Sequence, residues 1–87
     1  MDLNKGIRNP SQLREAIEMA KQGSSDAIWA IHKYKWYNWY QNIHIKKDSP
    51  EDIENTEIFE DLERNYPDIH RKVEDNINYE IAKLSSL

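Results

Sequence analysis

Histidines near carboxylates are the residues of this sequence that come nearest to a catalytic or metal-binding pattern. If the C-terminal helix is continuous, His70 lies in its apolar stripe with Glu63 and Glu74 beside it, and His32 lies in an earlier stripe. A histidine and a carboxylate together can transfer protons or bind a metal ion. The sequence has no His-x-x-x-His, no Glu-x-x-His and no third strong ligand. We therefore expect buried or half-buried histidines that are hydrogen-bonded to Glu80, Glu63 or a hydroxyl group.

The other common catalytic and cofactor-binding patterns are missing from the sequence. There is no cysteine to serve as a nucleophile or a metal ligand, and there is no Gly-x-Ser-x-Gly motif. Two glycines in 87 residues exclude a glycine-rich phosphate loop. We expect no enzymatic activity, no cofactor and no metal site.

The strongest local feature is a run of acidic residues. Residues 1–47 carry eight basic and four acidic side chains, a net charge of +4, whereas residues 48–87 carry four basic and twelve acidic ones, a net charge of −8. Eight of these acids, here called the acidic block, lie between Lys47 and Arg64 with no basic residue among them: Asp48, Glu51, Asp52, Glu54, Glu57, Glu60, Asp61 and Glu63. Clustered charge of one sign attracts a surface of the opposite sign and speeds the encounter. We expect the acidic block to bind a basic surface of a partner protein. The alternative is a solvated face, since acids are favoured at helix starts in any case.

Aromatic and basic residues alternate from His32 to Lys47, a pattern that can stack bases and bind phosphates. On a helical wheel, one sector of roughly 120° holds most of the large side chains around this segment: Ile28, Trp29, His32, Trp36, Trp39, Tyr40 and Ile43. We therefore expect all three tryptophans to face the core. Tyr34 and Tyr37 fall outside the sector, so we expect them to form a small protein-binding patch near Lys33.

Start and stop signals organise the first half of the chain. Residues 1–8 are predicted to be an irregular arm, and residues 9–87 a single helical domain. Asn9 as the cap and Pro10 at the first position begin one helix, which Gly23 ends. A second helix, rich in tryptophan, begins with Ser24 as its cap and continues to about Ile45, because no glycine or proline interrupts it.

Ser49 and Pro50 start a further helix, which we expect to last one or two turns before Asn55 and Thr56. A long apolar stripe then follows at steps of three and four residues: Phe59, Leu62, Tyr66, Ile69, Val73, Ile77, Ile81 and Leu84. Pro67 lies within it, so the stripe belongs either to one helix kinked at Pro67 or to two helices broken there. No segment alternates as a strand does. The predicted fold class is all-α, a small three- to four-helix bundle with the tryptophan-rich helix packed against the first and last helices.

These features favour a small non-enzymatic interaction protein, of the inhibitor or regulator type that phages and mobile elements carry. One alternative is a nucleic-acid-binding helical module that uses the basic, aromatic first half, although a net charge of −4 disfavours it. Another is a homo-oligomeric structural or assembly subunit joined through the last helix. The sequence has no cysteine, no apolar run for a signal peptide and no membrane span. We therefore expect a cytoplasmic location and no membrane partner.

Overall fold

Four α-helices account for most of the described chain, which comprises residues 3–40 and 48–85 of a computed structural model. They are α1 (Pro10–Lys21), α2 (Ser25–Lys35), α3 (Pro50–Asn65) and α4 (Pro67–Ser85). A single 3₁₀ turn, Leu3–Lys5, precedes α1, and a π-helical turn, Trp36–Tyr40, continues α2. No strand occurs in the described ranges, so the predicted all-α class is confirmed.

The helices are arranged as a ring. α1 packs against α2 and α3, and α4 packs against the same two helices, which leaves α2 and α3 diagonally opposite each other. Helices that are consecutive in sequence therefore form two hairpins, α1–α2 and α3–α4. The tryptophan-rich α2 packs against the first and last helices, as the sequence predicts.

The helix starts agree with the sequence signals. The side-chain oxygens of Asn9, Ser24 and Ser49 each accept a hydrogen bond from the backbone N–H three residues on, at 2.9, 3.2 and 3.1 Å. These bonds satisfy N–H groups that have no partner within the first turn of a helix. Gly23, just after α1, has φ +98°, a left-handed conformation that glycine adopts without steric cost.

The chain breaks at Pro67, which decides between the two alternatives for the last stripe. α3 ends at Asn65, Tyr66 has φ −136° and ψ 62°, and α4 begins at Pro67. A proline at the first helical position removes no hydrogen bond, because that N–H has no partner within the helix. The broken arrangement is therefore the one that the structure adopts.

α3 is longer than predicted. The expected end before Asn55 and Thr56 is wrong, since α3 runs through both residues for 16 residues in total. The Thr56 hydroxyl donates to the Asp52 carbonyl at 2.9 Å, and the Asn55 amide donates to the Tyr34 hydroxyl at 2.7 Å. Because these polar side chains have partners, they do not end the helix.

The second helix changes its hydrogen-bond pattern after Lys35. The π-helical turn follows, and the Asn38 amide donates to the Tyr34 carbonyl at 2.7 Å across the join. The predicted helix end near Ile45 lies outside the described residues. So do the predicted inward positions of Ile43 and of the side chains of Trp39 and Tyr40.

The core lies where the four helices meet. The predicted apolar face of α1 is buried: Leu13, Ala16, Ile17 and Ala20. The other helices contribute Ala27, Ile28, Ala30, Ile31, Ile58, Phe59, Leu62, Val73 and Ile77. Leu3 and Ile7, which precede α1, also pack against this core. None of the described helices combines the length and the apolar character that a bilayer span requires.

Candidate binding surfaces

Three residues of the acidic block serve the start of α3. Asp48 has a positive φ of 67°, and its backbone N–H donates to the Asp52 carboxylate at 3.3 Å. Glu51 and Asp52 lie in the first turn, near the positive end of the helix dipole. Their position is explained by local helix structure, without a partner.

The ion pairs between helices join the basic first half of the chain to the acidic second half. Among the described residues, each such pair joins a basic side chain before residue 48 to an acidic one after it: Arg14–Glu54, Lys33–Glu80 and Lys35–Glu74. His32 also contacts Glu80, and this contact is an ion pair only when the imidazole is protonated. Arg14 and Glu54 approach to 2.5 Å, but about half of each side chain is exposed, so water screens the pair. Some of the acidic residues in the second half therefore form ion pairs within the molecule. Glu54 of the acidic block is one of them, because it is paired with Arg14.

The remaining acids of the block lie on α3. Glu57, Glu60 and Glu63 are exposed and form no ion pair with other described residues. Ile53 precedes them by four, seven and ten residues, and it is 53% exposed. Residues at these spacings share one side of a helix. We call the set Ile53, Glu57, Glu60 and Glu63 the α3 outer face.

Asp61 lies beside a different surface. It borders a groove of about 290 Å³ between α1 and α3, together with Arg14, Lys21 and Glu57. Its carboxylate accepts a hydrogen bond from the Asn65 amide at 2.6 Å. Asp61 thus lies on a surface of mixed charge that meets the α3 outer face at Glu57.

Tyr34 is not the exposed contact residue that the sequence predicts. It is 5% exposed, and its hydroxyl accepts the hydrogen bond from Asn55, which is fully buried. Burial raises the pKa of Tyr34 to about 12. The residue therefore joins α2 to α3 across the diagonal of the bundle and is not available to a partner.

Trp29 is the opposite case, because it was expected in the core and is 47% exposed. Tyr37, which is 38% exposed as expected, lies on the same side of the helix. The Lys33 ammonium lies 5.4 Å from the Trp29 ring centroid and 5.9 Å from that of Tyr37, within cation–π distance of both. Trp36, by contrast, is 6% exposed, so the inward prediction is confirmed for that tryptophan and wrong for Trp29.

The error has a physical reason. α2 contacts α1 on one side, α4 on another and the N-terminal turn on a third, so its buried surface covers far more than one sector. The accessible side of α2 is narrow and carries the charged residues Asp26 and Lys33. Trp29 lies between these two residues in sequence and is on the same side. A stripe of residues ending in Tyr34 and Asn38 is the sequence signal that could have placed Tyr34 inside: Ala27, Ala30, Ile31, Tyr34 and Asn38.

His32 forms a buried polar cluster with α4, as the sequence predicts. Its Nδ1 lies 2.8 Å from the Trp29 carbonyl, and its Nε2 lies 3.2 Å from Glu80 Oε1. Lys33 donates to the same Glu80 oxygen at 2.8 Å. Burial lowers the pKa of His32 below 6.5, and the hydrogen bond from Lys33 lowers the pKa of Glu80 below 4.5.

His70 has a different carboxylate neighbour. Its Nε2 lies 3.5 Å from Glu74 rather than near Glu63, and the Lys35 ammonium binds the same Glu74 carboxylate. Within residues 3–40 and 48–85, no group of three or more candidate side chains is placed to hold a metal ion. Each described histidine thus has a carboxylate neighbour on α4.

The chain matches no protein-family model, and it gives no significant match to a curated protein or to a solved structure. Its function must therefore be inferred from its own surfaces. Two of them are distinctive: the α3 outer face and the exposed side of α2 around Trp29 and Tyr37.

Proposed function

We propose that this chain is a small non-enzymatic interaction protein of the cytoplasm, an inhibitor or regulator, that binds a basic surface of a partner protein. The α3 outer face is the proposed contact. The observation that supports it is a half-exposed isoleucine, Ile53, on the same side of the helix as three acids that form no ion pair with the described residues.

Ile53 gives this surface the composition of a protein interface. An apolar side chain surrounded by charges resembles the centre and rim of such interfaces, where the centre loses its water and the rim stays wet. Glu57 and Glu60 would steer a basic partner toward the contact, and Ile53 would then be buried by it. The same acids repel the phosphates of a nucleic acid, which makes a protein the preferred partner.

The proposed contact is narrower than the acidic block. Asp48, Glu51 and Asp52 act at the start of α3, and Glu54 is paired with Arg14. Asp61 accepts a hydrogen bond from Asn65 and borders the groove between α1 and α3, which meets the outer face at Glu57. Reversal of charge on the outer face alone should therefore be enough to prevent binding.

The test compares two triple variants with the same change in net charge. Glu57→Lys, Glu60→Lys and Glu63→Lys alter the outer face, whereas Glu15→Lys, Asp68→Lys and Asp75→Lys alter exposed acids on α1 and α4. Each tagged protein is used to capture partners from its native host, with quantitative mass spectrometry of what co-purifies. Circular dichroism checks that helix content is preserved.

We expect the partner of the wild-type chain to be lost with the outer-face variant and retained with the control. Ile53→Ser should also weaken capture, because it removes the apolar centre and leaves the charges in place. Retention of the partner by all variants, or equal loss with both triple variants, would contradict the proposal.

Homo-oligomerisation through α4 is the second candidate, supported by three exposed apolar side chains near its end. Tyr79, Ile81 and Leu84 are 59%, 39% and 52% exposed. Ile81 and Leu84 continue the stripe of Val73 and Ile77, which are buried. Analytical ultracentrifugation of the wild type and of Leu84→Glu tests this candidate. A monomer at high protein concentration excludes it.

A further inference from the structure

A groove lies between the N-terminal turn and the exposed side of α2. Its volume is about 740 Å³, which is within the range of small-molecule sites. Lys5 and Arg8 line it on one side, and Trp29, Lys33, Tyr37 and Asn38 on the other. It is separate from the α3 outer face, because none of its lining residues belongs to α3.

The groove carries a local positive charge on a protein whose net charge is −4. Lys5, Arg8 and Lys33 line it, and among the described residues Asp26 is its one acidic lining residue. Lys33 is already paired with Glu80. Lys5 and Arg8 are exposed and have no ion pair within the described parts of the chain, so they can receive an anion.

Two half-exposed aromatic rings lie on the opposite side of the groove from these cations. Trp29 and Tyr37 are 47% and 38% exposed. A large aromatic ring left open to water beside a cavity offers a stacking surface for another planar ring. The groove therefore combines a site for an anion with a site for a flat ring.

Asn38 supplies a third feature of a binding site. It is 4% exposed and lines the groove, and its amide nitrogen is engaged by the Tyr34 carbonyl. Its Oδ1 is buried and accepts no hydrogen bond from any described residue. A buried amide oxygen without a donor is unfavourable, so Asn38 is a strained polar residue at the wall of the groove. Asn38 also lies in the π-helical turn, a distortion that is frequent at functional sites.

We infer that this groove binds a nucleotide, either free or as one unit of a single strand. The base would stack on Trp29 and Tyr37, and the phosphate would lie against Lys5 and Arg8. A nucleotide is the simplest ligand class that offers a planar ring and an anion together. The inference does not depend on the α3 outer face.

The test is equilibrium dialysis of the full chain with adenosine monophosphate and with a single-stranded octamer of deoxyadenylate. Lys5→Glu with Arg8→Glu changes the groove. Arg71→Glu with Lys72→Glu is the matched control, because both residues are exposed on α4 and the change in charge is the same. Inorganic phosphate, which lacks a ring, serves as the competitor. Tryptophan emission of the wild type and of Trp29→Phe gives a second readout.

We expect saturable binding that the groove variant weakens at least about tenfold and that the control variant changes less than about twofold. Bound nucleotide should quench the emission of the wild type and have much less effect on Trp29→Phe. An octamer that binds at least about tenfold more tightly than the mononucleotide identifies a single strand as the source, and equal affinities identify the free nucleotide. Absence of binding by both probes at millimolar concentration, equal weakening by the two double variants, or equally tight binding of inorganic phosphate would overturn the inference.

Discussion

His32 Nε2 lies 3.2 Å from Glu80 Oε1, and this contact joins α2 to α4 inside the bundle. His32 Nδ1 faces the Trp29 carbonyl at 2.8 Å and must donate to it, since a carbonyl oxygen can only accept. Nε2 therefore carries a hydrogen only when the imidazole is protonated. Glu80 favours that protonation and burial opposes it; burial is the larger effect, so the pKa of His32 lies below 6.5.

Acid should destabilise the folded protein through His32. The unfolded chain takes up this proton near pH 6.5, whereas the folded chain does so only at lower pH, so stability is full above about pH 7 and falls as the pH drops below 6.5. Each unit of pKa difference contributes up to about 1.4 kcal/mol. Glu80, whose pKa is also lowered, adds a further loss below pH 4.5. Urea unfolding at about pH 7.5 and 5.5, followed by circular dichroism, measures the first of these effects.

Two histidine variants identify the responsible group. His32→Gln should remove most of the difference in unfolding free energy between the two pH values. His70→Gln, which alters a residue with a partly exposed side chain, should preserve that difference. If the pH dependence persists unchanged in His32→Gln, a group other than His32 is responsible for it.

The buried hydrogen bond from Asn55 to Tyr34 should make the two residues energetically coupled. Tyr34→Phe leaves the Asn55 amide without its acceptor in the core, and we expect a loss of about 1–3 kcal/mol in unfolding free energy. Tyr79→Phe removes the same hydroxyl from a residue that is 59% exposed and should cost less than about 0.5 kcal/mol.

A double-mutant cycle with Asn55→Leu completes this test. When both partners are replaced, neither leaves the other's polar group unsatisfied in the core, so the double variant should lose less unfolding free energy than the sum of the single losses. Additive losses would show that the hydrogen bond does not couple α2 to α3.

Replacement of Pro67 by alanine should slightly destabilise the protein. Because Pro67 begins α4, its replacement restores no helical hydrogen bond. It also gives the unfolded chain more conformational freedom, which should lower the unfolding free energy by about 0.4–1 kcal/mol. Pro10→Ala, at the start of α1, should have a similar effect. Stabilisation approaching about 3 kcal/mol would instead indicate a proline inside a continuous helix. Thermal and urea unfolding measure both variants.

Tryptophan fluorescence should separate Trp29 from Trp36. Trp29→Phe removes an indole that is 47% exposed, so the remaining emission should shift to shorter wavelength and be less quenched by acrylamide. Trp36→Phe removes an indole that is 6% exposed and should shift both readouts in the opposite direction. Equal shifts in the two variants would contradict the assigned exposures.

Local interactions made the helix starts predictable. The bonds accepted by Asn9, Ser24 and Ser49 join residues only three apart, so their residue types specify the helix start whatever the tertiary fold. The break at Pro67 remained undecided because the apolar stripe keeps its phase on both sides. That choice depends on how α3 and α4 pack together, which no local pattern encodes.

Burial on α2 was also hard to predict, because it depends on how the helices pack together. The wheel places Trp29 in the apolar sector, yet neighbouring helices also cover Ala27 and Tyr34 outside that sector and leave Trp29 half-exposed. The bond between Tyr34 and Asn55 spans 21 positions and joins two diagonal helices. No residue near Tyr34 or Asn55 in sequence indicates that the two side chains form this bond. For that reason the sequence analysis wrongly predicted that Tyr34 is exposed and that α3 ends before Asn55.

The pairing of α1 with α2 and of α3 with α4 also bears on how the chain folds. The first hairpin lies in the half with net charge +4 and the second in the half with net charge −8, so we expect electrostatic attraction to favour the docking of the two halves. Salt at high concentration weakens that attraction and should therefore slow their docking. In this view the uneven charge assists folding within a single molecule, independently of anything the protein binds.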